Sequence, residues 1–70
     1  MRYIDILGMK DGEMKREARV WEDGRFQGPD SMKRDIEEMC QGMRGERLLR
    51  FLSGAYDNGV MTTSIGEDHR

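Results

Sequence analysis

The chain has 70 residues, of which 36% are hydrophobic and 37% charged, and its 12 basic and 14 acidic side chains leave a net charge of −2. This length allows one domain with a thin core, and the composition excludes a chain kept disordered by an excess of one charge. Because no segment forms a basic block, the charge pattern also argues against a general binder of phosphate backbones.

The first 28 residues have the pattern of a three-stranded antiparallel meander. We predict strands over about 2–9, 14–22 and 25–28, joined by two-residue turns at Asp11-Gly12 and Asp23-Gly24. Asp-Gly dipeptides tolerate the positive φ angles of a type I′ turn, which is the usual connection of a two-residue hairpin.

The middle of the chain changes to helical spacing. We predict a first helix over about 31–43, capped by Asp30 or Ser31, and a second over 46–53, ended by Gly54. One face of the first helix carries its apolar residues, namely Met32, Ile36, Met39, Cys40 and Met43. The second helix is short, so its stability must come from packing.

A β-branched run after Asn58-Gly59 predicts a last strand over about 60–65, which either extends the first sheet or forms a separate hairpin. We therefore predict an α+β fold in which two helices pack on one face of an antiparallel meander. Residues 1–66 are expected to form a single domain. Residues 67–70 are expected to form a disordered tail, because they have little to bury.

The stretch VWEDGRF, residues 20–26, holds the only tryptophan of the chain. With Asp23-Gly24 as a two-residue turn, Trp21 pairs with Phe26 on one face of the hairpin, and Glu22 pairs with Arg25 on the other. Trp21 then lies on the face that its own strand otherwise fills with charged residues. These are Lys15, Glu17 and Arg19. Either part of the protein or a second subunit covers this tryptophan, or it is open to a partner.

The register of the first hairpin decides which residues share the face of Trp21. A plain two-residue turn places Ile4 and Ile6 on that face, whereas one bulge exchanges the two faces of the first strand. With the plain register, a candidate subunit interface consists of Ile4, Ile6, Trp21 and Phe26. Cys40 is the only cysteine and no Cys/His cluster suits zinc, so we expect a second copy of the chain to supply stability in place of a disulfide or a metal.

The alternative interpretation is a nucleic-acid-binding regulator that uses basic residues on the two helices. Its candidate contacts are Lys33, Arg34, Arg44, Arg47 and Arg50. The second helix, however, is mostly apolar and offers few polar donors to read base edges, so we do not expect nucleic acid as the partner.

No residue set indicates catalysis. His69, the only histidine, lies in the predicted tail, and Cys40 lies on an apolar helix face, where a thiol is usually inert. Neither a glycine-rich phosphate loop nor a metal-binding motif appears, so we expect no enzyme activity, cofactor or metal. The first residues lack the apolar core of a signal peptide, so we expect none, and no apolar run reaches the ~18 residues that a membrane span needs. We expect a small cytoplasmic accessory protein, without a membrane partner, that acts by protein–protein association, either with itself as a homodimer or with another protein.

Overall fold

A four-stranded antiparallel sheet with two helices on one face makes up the fold in the computed structural model, which describes residues 1–68. The elements are β1 (Arg2–Lys10), β2 (Glu13–Trp21), β3 (Phe26–Gln27), α1 (Asp30–Met39), α2 (Glu46–Tyr56) and β4 (Met61–Glu67). The strand order is β3-β2-β1-β4. This confirms the predicted α+β class, and it shows that the last strand extends the first sheet beside β1.

The core lies between the helices and one face of β1 and β2. Ile4 and Ile6 of β1 are fully buried there beside Ala18 and Val20 of β2. The helices and the residue after α1 contribute the rest of the core, Ile36, Cys40, Leu48, Leu49 and Leu52. Each fully buried aliphatic side chain stabilises the fold by roughly 1.5–3 kcal/mol, so this small set dominates the stability of the domain.

The turn between β1 and β2 has the predicted form. Lys10 pairs with Glu13, and the two residues between them, Asp11 and Gly12, have φ angles of 53° and 80°. Two consecutive positive φ angles are the signature of a type I′ turn, so this prediction is confirmed.

A β-bulge in β2 changes the predicted register of that hairpin. Ile6 pairs with Ala18 but Leu7 pairs with Arg16, which leaves Glu17 as the extra residue. Ile4 consequently lies opposite Val20 and on the helix side of the sheet. The plain register was therefore wrong. Burying the apolar residues of both strands under the helices outweighs the loss of one regular pairing.

The connection between β2 and β3 also differs from the prediction. Trp21 N–H donates to the carbonyl of Arg25 (3.0 Å), and Gly24 N–H donates to the carbonyl of Trp21 (2.9 Å), so three residues rather than two form the loop. Val20 then pairs with Phe26. Trp21 and Phe26 lie on opposite faces, because Phe26 packs against the core beside Val20.

Both helices differ from their predicted lengths. The first ends at Met39 rather than at residue 43. Pro29 occupies its N-cap position, and no side chain caps the helix, although a cap from Asp30 or Ser31 was predicted. The second continues through Gly54 to Tyr56. Tyr56 packs against the core, and this contact stabilises three further helical residues despite the low helix propensity of glycine.

Local hydrogen bonds order the segment before β4, and pairing with the N-terminal residues orders the end of β4 and the residue after it. Asn58-Gly59 joins a helix to a strand rather than two strands, and the Asn58 side-chain oxygen accepts bonds from the N–H groups of Val60 (3.1 Å) and Met61 (3.0 Å). Glu67 pairs with Arg2, and Asp68 N–H donates to the Met1 carbonyl, so both residues pair with the N-terminal strand region instead of forming a tail. His69 and Arg70 lie outside the described residues.

Candidate association surfaces

One face of the sheet is not covered by either helix, and we call it the open face. Side chains alternate along a strand and paired residues share a face, so the register assigns its members. They are Tyr3, Asp5, Leu7, Met9, Met14, Arg16, Arg19, Trp21, Gln27, Thr62 and Ser64. The face thus combines aromatic, aliphatic and charged side chains, which makes it a candidate contact surface.

A bidentate ion pair lies at the centre of the open face. Arg19 Nε donates to Asp5 Oδ1 at 2.6 Å, and Arg19 Nη2 donates to Oδ2 at 2.9 Å. The hydrogen bond to Asp5 is the main cause that raises the pKa of Arg19. The guanidinium carbon also lies 3.8 Å from the ring centroid of Tyr3, which is cation–π contact. Both charges already have partners within the domain, so they do not by themselves attract a ligand.

Trp21 continues this cluster toward the edge of the sheet. Its ring centroid lies 6.4 Å from that of Tyr3, at a tilt of 59°. The guanidinium of Arg25 lies over its other side, 4.9 Å from the centroid. The indole N–H is buried and has no hydrogen-bond partner among the described residues. The protein's own side chains therefore cover Trp21 in part. The sequence left open whether this tryptophan is covered or exposed to a partner, and the structure lies between the two.

A cleft of about 540 Å³ lies beside Trp21. Its lining consists of Met1, Arg19, Trp21, Arg25, Gln27 and Asp68. Arg25 Nε donates to the Asp23 carboxylate at 2.9 Å, and the bond that Asp23 accepts from the backbone N–H of Arg25 lowers the pKa of this carboxyl group. Carboxylates neutralise the charges of both lining arginines, Arg19 and Arg25. The cleft therefore offers a concave shape and hydrogen-bond donors rather than a strong positive electrostatic potential.

The predicted interface residues do not form one surface. Ile4 and Ile6 have no exposed area, and Phe26 packs against the core on the helix side. Only Trp21 lies on the open face. Sequence reasoning placed Arg19 on this face correctly but missed Tyr3 and Leu7, because the face of these β1 residues relative to Trp21 depends on the bulge at Glu17, for which the sequence carries no clear signal.

The basic residues of the alternative interpretation all have exposed side chains. Lys33 lies 4.0 Å from Glu37, and Arg50 lies 3.5 Å from Glu46, each one helical turn away. Such exposed pairs contribute little stability, and they place a carboxylate beside two of the five basic groups. The arrangement resembles ordinary solvated helix surfaces more than a surface for nucleic acid.

The two edges of the sheet differ sharply in charge. β3 pairs only with Arg19 and Val20, so the N-terminal half of β2 forms one outer edge, and four of its five residues Glu13–Glu17 are charged. β4 forms the other edge, and only Glu67 is charged among Met61–Glu67. Charged side chains are a usual protection of strand edges against pairing with another chain. The edge of β4 lacks this protection.

Ile65 lies on the unprotected strand, and half of its side chain is exposed (50%). It pairs with Ile4 and so lies on the helix side of the sheet, at the rim of the core. On the same side, the Thr63 and Ser53 hydroxyls are 3.3 Å apart, which attaches α2 to the strand. The edge of β4 is therefore firmly held and partly apolar.

Fold and surfaces together define a small α+β protein with helices on one side of its sheet and two candidate surfaces for association. Comparison with known proteins finds no family model that matches the chain, and no curated protein or solved structure that matches it significantly. Among residues 1–68, no group of three or more His, Cys, Asp and Glu side chains is arranged to hold a metal ion. Neither of the described helices is long and apolar enough to cross a membrane.

Proposed function

We propose that the protein acts by protein–protein association and that its partner is a second copy of itself. One observation carries this proposal. Beside a core of nine buried residues, seven large apolar side chains remain exposed among the described residues. They are Met1, Met9, Met14, Met39, Phe51, Val60 and Ile65. Association that covers part of this surface adds burial that so small a core lacks.

The way in which the domain is stabilised supports the same proposal. Cys40 is a free thiol, so no disulfide adds to the stability of the core. A net charge of −2 gives only weak repulsion between two copies. The open face adds Tyr3, Trp21 and Arg19, which are residue types enriched in the contact centres of protein interfaces.

Light scattering coupled to size-exclusion chromatography, at several protein concentrations, tests this proposal. We expect the measured mass to rise with concentration toward twice the 8.2 kDa of the chain. A mass of one chain at every concentration would contradict self-association. The emission of Trp21, recorded over the same concentrations, reports whether the open face takes part, because covering this half-buried indole shifts its emission to shorter wavelength.

A further inference from the structure

We propose that the second copy docks on the edge of β4, so that two antiparallel β4 strands join the two four-stranded sheets into one eight-stranded sheet. This inference rests on the proposed self-association and identifies its contact. A two-fold axis perpendicular to the sheet relates the two copies, so each surface meets its own counterpart. The helices of both copies then lie on the same side of the joined sheet.

The two edges of the sheet differ in how well they resist pairing with another chain. An edge strand presents a row of backbone N–H and C=O groups that pair readily with another chain unless charge, proline or a bulge prevents it. The edge of β2 has four charges in Glu13–Glu17 and a bulge at Glu17. The segment Met61–Gly66 has no charge, no proline and no shift in its register with β1. Only one edge is therefore suited to pairing.

The sequence of β4 is compatible with pairing to itself. In a register centred on Ser64, Thr63 lies opposite the partner's Ile65, and Met61 lies opposite the partner's Glu67. The one charged residue of the strand therefore does not meet its own copy. Thr63 and Ile65 are both β-branched, and such pairs suit adjacent strands. The contact covers the half-exposed Ile65 side chain on the helix side.

The open face is the competing surface for a second copy, and its polar groups are already satisfied. Asp5 and Arg19 bond to each other, and Arg25 bonds to Asp23. Packing two open faces together removes these charges from water and gains no new bonds for them. Pairing at the β4 edge gives the backbone groups of two strands partners and leaves both open faces side by side as one larger surface.

The variant Ile65→Lys tests the edge, because a lysine directed inward on an edge strand opposes pairing. Met14→Lys is its matched control, since Met14 has nearly the same exposure (49%) and lies on the charged edge. We expect Ile65→Lys to raise the dimer dissociation constant about tenfold or more, and Met14→Lys to leave it unchanged within about twofold. Circular dichroism confirms that both variants are folded.

A disulfide provides an independent test. Directly opposite residues of an antiparallel pair have Cα atoms about 4.5–5.5 Å apart, which a disulfide spans. We expect Ser64→Cys to form a covalent dimer under mild oxidation, and Lys15→Cys, on the charged edge, to form none. Cys40 gives little background because it is buried, and burial raises the pKa of its thiol.

The outcomes separate the two proposals. A wild-type chain of monomer mass at every concentration, with no Ser64→Cys dimer, overturns both. A wild-type dimer that Ile65→Lys leaves intact, and that Leu7→Lys on the open face disrupts, overturns the edge contact and supports self-association. A dimer lost in Ile65→Lys, kept in Met14→Lys and trapped by Ser64→Cys supports both.

Discussion

The Asp5 carboxylate and the Arg19 guanidinium hold β1 and β2 together through two parallel hydrogen bonds of 2.6 Å and 2.9 Å. Less than a quarter of either side chain is exposed (17% and 23%), so water screens the pair only in part. The bulge at Glu17 lies two residues before Arg19 in the chain. It exchanges the faces of the β2 residues on either side of it relative to β1. The ion pair therefore forms only in the bulged register, which also places Tyr3 and Trp21 together on the open face.

Arg19→Lys is expected to lower the free energy of unfolding by about 1 kcal/mol. Lysine keeps the charge but cannot make two parallel bonds to a carboxylate or stack flat on Tyr3. Arg16→Lys, on the same face and strand but exposed, is the control and should change stability by less than about 0.5 kcal/mol. Urea denaturation measures both. Equal effects of the two substitutions would show that the bidentate geometry adds nothing.

Three glycines separate backbone strain from steric overlap. Gly54 lies inside α2 with open space around its Cβ position, so Gly54→Ala should stabilise the protein by about 0.5–1 kcal/mol. Gly24 has a φ of +95°, and a Cβ there would lie 2.6 Å from the Arg44 guanidinium carbon. Gly24→Ala should therefore destabilise by about 1 kcal/mol or more.

Gly12→Ala is the control for that comparison, since Gly12 has a φ of +80° but no atom within 4 Å of a Cβ. It carries the strain of a positive φ without the overlap. The difference between Gly24→Ala and Gly12→Ala in urea midpoint then reports the cost of displacing Arg44. If Gly54→Ala proves destabilising, α2 does not extend through this residue in solution.

Neighbouring residues of α2 should differ greatly in their contribution to stability. Leu52 has no exposed area, and Leu52→Ala is expected to cost about 2–5 kcal/mol, because it removes buried methyl groups and leaves a cavity. Phe51 is 38% exposed, and Phe51→Ala should cost less than Leu52→Ala despite removing more atoms. Thermal unfolding followed by circular dichroism compares the two. The reverse order would mean that the opposite side of α2 faces the core.

Local signals in the sequence were sufficient for the fold class and for one turn, but not for the faces of the sheet. Asp11-Gly12 lies between strands of matched length, and its two positive φ angles follow from residue type. Asp23-Gly24 suits a three-residue loop as well as a two-residue turn. The choice between them depends on Phe26, which packs against the core only with the longer loop.

The candidate surfaces were predicted only in part for the same reason. Alternation along β2 predicts that Trp21 shares a face with Arg19, and the structure confirms this. Ile4 and Ile6 were assigned to the wrong face because a one-residue bulge is set by the packing of the whole sheet and not by the residues at the turn. The uncharged run of β4 is visible in the sequence, but its edge position depends on the strand order.

The β2–β3 loop should contribute to the pH dependence of stability through Asp23. The backbone N–H of Arg25 is the main cause that lowers the pKa of this carboxyl group below its ordinary 3.8, and the charge of Arg25 acts in the same direction. A lowered pKa in the folded state stabilises the fold at pH values above 3.8, and this stabilisation is lost as the pH falls through the folded-state pKa. Asp23→Asn keeps an oxygen that accepts the Arg25 N–H bond but removes the charge. We expect the urea midpoint of Asp23→Asn to fall less than that of the wild type between pH 7 and acid pH.

An NMR titration of the Asp23 carboxyl carbon should give a pKa below the ordinary value, and high salt should leave most of the shift in place, because a hydrogen bond is its largest cause. A carboxyl group that titrates at its ordinary pKa would show that this loop does not hold Asp23 against Arg25 in solution.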